Sequence, residues 1–257
     1  LVHCSGTETD WTWRVADGPP PAWSSGPLPI YFHVGNGADS LFEKDLSLMR
    51  DAGATMYRFS VCWAKLQPDA YGALDAAEVS KVNYKVRRIL ENGMVPMVTL
   101  VHFVMPRWFP GWHEEECLDL LSDFARRVSA CVIPFPDDCG NEWWITYNEP
   151  SISVLHSYVI GTRPPGMKSI PTAMRAYANI LRSHVTAAMH LRTRKATIHA
   201  SPAWNISLFS AHNACSVADE ALASALDALF NRSVLQLLVR GYAWVGAEYV
   251  QGEESVP

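Results

Sequence analysis

The stretch WWITYNEP, residues 143–150, ends an apolar run on a carboxylate and stops it with proline. A carboxylic acid that stays protonated can hand its proton to a leaving oxygen, and apolar walls favour the neutral form of a carboxyl. Glu149, following Trp143 and Trp144 at the end of a buried strand, is the candidate for that role. Pro150 suits the first turn of a helix, so the plainer reading makes Glu149 a helix N-terminal residue. Other polar residues sit at or just beyond apolar runs: Arg58, His102, Asn148 and Ser201. Taken singly, Asn148 reads as a turn residue and His102 as a satisfied strand-end histidine. Arg58 reads as one half of an ion pair with Glu149 or Asp39.

The elements that must position these groups alternate along the chain. SLFEKDLSLMRDAG and DAAEVSKVNYKVRRILENG have apolar residues at helical spacing and a closing Gly. TMYRFSVCW and VPMVTLVHF follow them as short buried strands. EECLDLLSDFARRVSACV with EWWITYNEP repeats the cycle. IPTAMRAYANILRSHVTAAMHLRT with KATIHASPAW repeats it again, and SVADEALASALDALFNRSVLQLLVRG closes as a long helix. Helix–strand alternation with short loops predicts a parallel sheet with right-handed crossovers. In a (β/α)₈ barrel the strand ends form one catalytic face. A doubly wound sheet is the rival, without a Gly-rich phosphate loop to support it. Residues 1–37, rich in Pro and Gly, read as surface loop.

Of 257 residues, 49% are hydrophobic and 18% charged, with net charge −5, an ordinary globular mixture. That charge gives no basic footprint for nucleic acid. No run reaches the roughly 18 apolar residues of a membrane span. Six cysteines show no metal spacing; they read as isolated buried thiols, or as disulfides such as Cys131–Cys139. Two N-x-S sequons, Asn205 and Asn231, together with the cysteines, lean towards a secretory route and leave the compartment open.

Several motifs together resemble glycoside hydrolase family 1, the β-glucosidase-like retaining enzymes on a (β/α)₈ barrel. YRFSVCWAKLQP resembles the family's Y-R-F-S-x-x-W-x-x-x-x-P, and VPMVTLVHFVMP its P-x-V-T-L-x-H-W-D-x-P. WWITYNEP resembles W-x-T-[FL]-N-E-P, and GTRPPG the Gly and Pro-Gly of the following loop. The similarity runs in order from about residue 38 to about 243. It implies hydrolysis of a β-linked glucoside or galactoside through a covalent glycosyl-enzyme, with no metal or cofactor. By the resemblance Glu149 is acid and then base, Asn148 and His102 bind the sugar, and Arg58 positions the nucleophile.

Departures from the family are equally specific. Its nucleophile sits in an ENG motif after the seventh strand, and retaining chemistry needs the two carboxyls about 5–5.5 Å apart. The ENG at Glu91-Asn92-Gly93 instead ends a helix ahead of the third strand, which predicts the opposite end of the barrel. Matched by segment, residues 1–257 form one barrel domain holding about the first five β/α units and stopping before strands six to eight. HFVMP puts Phe103 and Val104 where the family has Trp and Asp, and Trp13 falls near a sugar-binding Gln position. Two readings follow: an enzyme fragment completed by a second chain or assembly, or an inactive scaffold subunit that keeps the fold. A lectin-like sugar binder is a third.

Overall fold

The computed structural model describes residues 41–132, 141–194 and 197–252. Helix α1 (Phe42–Asp51) leads into strand β1 (Met56–Ser60), a short helix α2 (Trp63–Leu66) and helix α3 (Ala76–Glu91). Strand β2 (Val95–Val101), helix α4 (Cys117–Cys131) and strand β3 (Glu142–Asn148) follow. Beyond β3 come α5 (Pro150–Val154) with a π turn over Leu155–Val159, then α6 (Ile170–Arg194) and β4 (Ile198–Ala203). The four strands pair in parallel in the order β1-β2-β3-β4. The helix–strand alternation thus folds as an incomplete parallel barrel. Residues 1–37, read as surface loop, and Trp13 within them lie outside the described residues, as does the Cys139 half of the suggested pairing.

The elements form where local chemistry allows. Asp75 caps α3 by accepting the Glu78 N–H at 2.9 Å, and Asn92 ends it just before Gly93 at φ 75°. The outer face of the sheet is covered by α3, α4 and α6. Trp63 stacks on Phe124 at 4.5 Å, and Tyr177, Leu181, Ala187 and Leu191 of α6 are fully buried. Each large apolar side chain removed from water there contributes roughly 1.5–3 kcal/mol. Buried Glu142 pairs with Arg194 and accepts the Trp144 indole N–H at 3.3 Å, so the start of β3 is held by polar contacts.

On the inner face Arg58, Met97, Trp143 and His199 are register partners across the four strands. Trp143 stacks on His199 at 4.3 Å, yet His199 is exposed. A closed barrel fills such inward positions with side chains from the facing strands. Among the described residues β4 pairs only with β3.

The closing helix runs as α7 (Val217–Asp227), a π turn (Ala228–Arg232) and α8 (Ser233–Arg240), ending at Gly241 with φ 72°. Its length and apolar content would suffice for a membrane span. Here Phe230, Asn231, Ser233, Val234 and Leu237 are buried while Leu222, Leu235 and Val239 are exposed, which is an amphipathic packing helix. A hairpin that the sequence analysis leaves unassigned follows: β5 (Tyr242–Val245) and β6 (Glu248–Gln251) pair antiparallel. Gly246, at φ 60°, opens its two-residue turn. Arg182 of α6 clamps the hairpin through Glu248 at 3.1 Å and the Tyr249 carbonyl at 2.6 Å.

The cysteines divide differently from either expectation. Cys117 is a buried free thiol, whose pKa burial pushes up to about 12. Cys131 and Cys215 are free and exposed, which excludes a Cys131–Cys139 bridge. Cys62 is disulfide-bonded, to a partner outside the described residues.

Candidate active site

At the end of β3 the backbone turns sharply. Glu149 adopts the left-handed conformation, φ 48° and ψ 63°, which residues with a side chain rarely take. Its N–H donates to the Ala203 carbonyl at the end of β4 at 2.5 Å. Its own carbonyl accepts the Ser153 N–H at 3.0 Å, opening α5. Pro150 occupies the first helical position, where no N–H is required. The strained residue is therefore held from both sides, and strain of this kind gathers at functional sites. The carboxyl itself makes no hydrogen bond or ion pair among the described residues.

Trp143 and Trp144 do not wall that carboxyl. They lie six and five residues back along the strand, roughly 16–20 Å away at about 3.3 Å per residue. What faces Glu149 is charge. The guanidiniums of Arg58 and Arg163 both interact electrostatically with it, and burial holds each below the usual arginine range.

Arg58 reaches up the inner face of the sheet. Its Nε donates to Thr99 Oγ1 at 2.8 Å and its Nη2 to Asn148 Oδ1 at 2.6 Å. Three strands are thus tied by one side chain, and it uses Asn148 where the simplest reading offered an ion pair with Glu149. His102 follows Val101, which pairs with Tyr147, so His102 and Asn148 sit side by side on neighbouring strands. Its Nδ1 meets Ser60 Oγ at 2.7 Å. Burial, with the Arg58 charge behind it, pushes His102 down to about 4, so the ring is neutral near pH 7. When the Ser60 hydroxyl donates to Nδ1, the proton stays on Nε2 and that atom is a donor for a ligand oxygen.

Arg58, His102, Asn148 and Glu149 therefore gather at one end of successive parallel strands. Ser201 does not join them: it lies within β4 and its hydroxyl donates to the Pro202 carbonyl at 3.0 Å. Glu91 ends α3 in an ion pair with Arg88, four residues before β2 begins. The seven residues of β2, roughly 23 Å, separate that rim from His102. The ENG triplet is a helix cap at the other end of the sheet.

Three residues of the site escaped the sequence analysis. Ser60 and Thr99 lie inside the strand motifs YRFS and VTL, and nothing local shows which groups they meet across the sheet. Arg163 lies in GTRPPG, where a lone cation in the loop after the acid-bearing strand was a usable signal.

The comparisons with known proteins fall on this same arrangement. The model of glycosyl hydrolase family 1 matches residues 36–248. This chain belongs to that family. Curated relatives include beta-glucosidase 6 of Oryza sativa, 33% identical over 133 residues, or 50% of this chain and 25% of that protein. The cytosolic beta-glucosidase of Homo sapiens is 32% identical over 156 residues, 59% of this chain and 32% of that protein. The chain thus matches a third or less of these relatives' length. Among solved structures, the beta-glycosidase from Pyrococcus horikoshii superposes with TM-score 0.80 at 23% identity, covering 99% of this chain and 56% of that one. The family 1 β-glucosidase from Thermotoga maritima gives 0.77 at 23%, covering 93% and 52%. The fold is a family 1 glycosidase barrel, of which the chain holds about half.

Proposed function

We propose that this chain is the acid/base half of a family 1 β-glycosidase acting on a β-linked glucoside or galactoside. The supporting observation is Glu149, held in a left-handed turn at the end of β3 beside the Arg58–Asn148–Thr99 network and the Ser60–His102 pair. In this reading Glu149 protonates the leaving oxygen, then takes a proton from water to release the sugar. Asn148 and the neutral His102 hold sugar hydroxyls. Arg58, already anchored, directs its charge towards the attacking carboxylate. That carboxylate must stand about 5–5.5 Å from Glu149, and by the family pattern it belongs to later strands supplied by further polypeptide.

The second reading, an inactive scaffold subunit, is favoured by Val104, which stands where the family motif carries Asp. The experiment measures 4-nitrophenol release from its β-glucoside. The chain alone should give background rates, because one carboxyl cannot provide both the nucleophile and the acid. Co-expressed with the C-terminal half of a family 1 barrel, it should turn over, and Glu149→Gln should abolish that. Turnover by the chain alone that Glu149→Gln removes would show a complete site already present. A well-formed complex without turnover would favour the scaffold.

A further inference from the structure

Arg163 is half-buried in the loop after α5, and its guanidinium makes no hydrogen bond or ion pair among the described residues. Its guanidinium lies over the Phe103 ring at 4.9 Å, and its Nη1 is covered with no acceptor. Among the described residues, through-space attraction to Glu149 is the main offset to the charge, with Tyr147 behind it, and His156 close by adds nothing negative. A partly desolvated cation without an acceptor is costly, and the cost is recovered when an anion arrives.

Next to it is a cavity of about 310 Å³, walled by Phe103, Phe109, Trp112, Tyr158, Pro164 and Pro165. The ring on which Arg163 stacks is one wall of this cavity, and the two residues following Arg163 form another. Aromatic and proline walls suit a planar ring, since they bury its faces without requiring polar partners. Arg107, also on the wall, adds positive charge.

We propose that Arg163 makes the site selective for glycosides whose aromatic leaving group carries a carboxylate. The ring occupies the aromatic cavity, and the carboxylate accepts charge-assisted hydrogen bonds from the Arg163 guanidinium. A ligand anion gives this cation its partner while leaving the Glu149 oxygens free for proton transfer. The assignment rests on the glycosidase reading of the site for its sugar portion only.

Titration calorimetry with the full chain tests it on three probes: 4-carboxyphenyl β-glucoside, the neutral 4-carbamoylphenyl β-glucoside, and free 4-hydroxybenzoate. The carboxylate glucoside should bind about tenfold tighter than the carboxamide, the scale of one charge-assisted hydrogen bond. Arg163→Gln should erase that preference, while Arg163→Lys should retain part of it. Matching thermal unfolding of the variants checks that the fold is intact. Equal affinities in the native chain, or a preference that survives Arg163→Gln, would overturn the proposal while leaving the glycoside reading standing. Arg163-dependent binding of 4-hydroxybenzoate with neither glucoside bound would support the anion site and overturn the sugar site. Binding of none of the three overturns both.

Discussion

His184 gives a stability test whose size follows from the structure. It is buried in α6, with Nδ1 at 2.8 Å from Thr146 Oγ1 on β3. Burial, reinforced by the Arg192 charge, pushes its pKa down from 6.5 to about 4. A histidine with a depressed folded value binds its proton more readily when unfolded. Stability is therefore fully present above about pH 6.5 and is lost as the pH falls through the window to about 4. Each pKa unit is 1.36 kcal/mol, so this residue alone should cost about 3 kcal/mol between pH 7 and pH 4. His102 titrates in the same window with the same sign. Glu43, held down to about 2 by Arg88, loses its contribution only at lower pH, from about 4.5 downward. The assay is urea denaturation followed by circular dichroism at half-unit steps from pH 7.5 to 4. His184→Gln, which keeps a polar group near Thr146 and does not titrate, should remove about half of the slope, with the His102 share remaining. A pH profile unchanged by that substitution would refute the argument that the cost of charging His184 drives the acid loss.

Two further outcomes are accessible with simple measurements. Asp75→Ala removes the cap of α3 and should cost about 1 kcal/mol in chemical denaturation, with no change in 4-nitrophenol release by a complemented complex. Expressed through a secretory route, the chain should carry a glycan at Asn205, which is exposed, and none at Asn231, which glycan-site mapping by mass spectrometry can read. Asn231 is 8% exposed, and its amide donates to the Ser207 carbonyl at 2.8 Å and to Asp227 at 2.6 Å.

Much of this protein was legible in its sequence because the information was local. Helical and extended periodicities and the glycine stops depend on near neighbours, and they located the helices and the four parallel strands. The NEP turn was legible for the same reason: a strand, a polar residue and a proline make a strand end whatever surrounds them. The hairpin at Tyr242–Gln251 was also written locally, in alternation around Gly246, and was overlooked.

Other features depended on which residues the fold brings together. Trp143 and Trp144 are adjacent to Glu149 in the motif yet stand well back from it, because a strand extends about 3.3 Å per residue. Arg58 joins Thr99 and Asn148 across 41 and 90 positions of sequence, and Ser60 meets His102 across 42. Arg163 acquires its meaning only when the loop after α5 folds over Phe103. The sequence alone determined the residue types, the elements and the direction in which the strand ends face. Only the tertiary structure decided the partners of each charge, because burial and electrostatic pairing are set by distance in space.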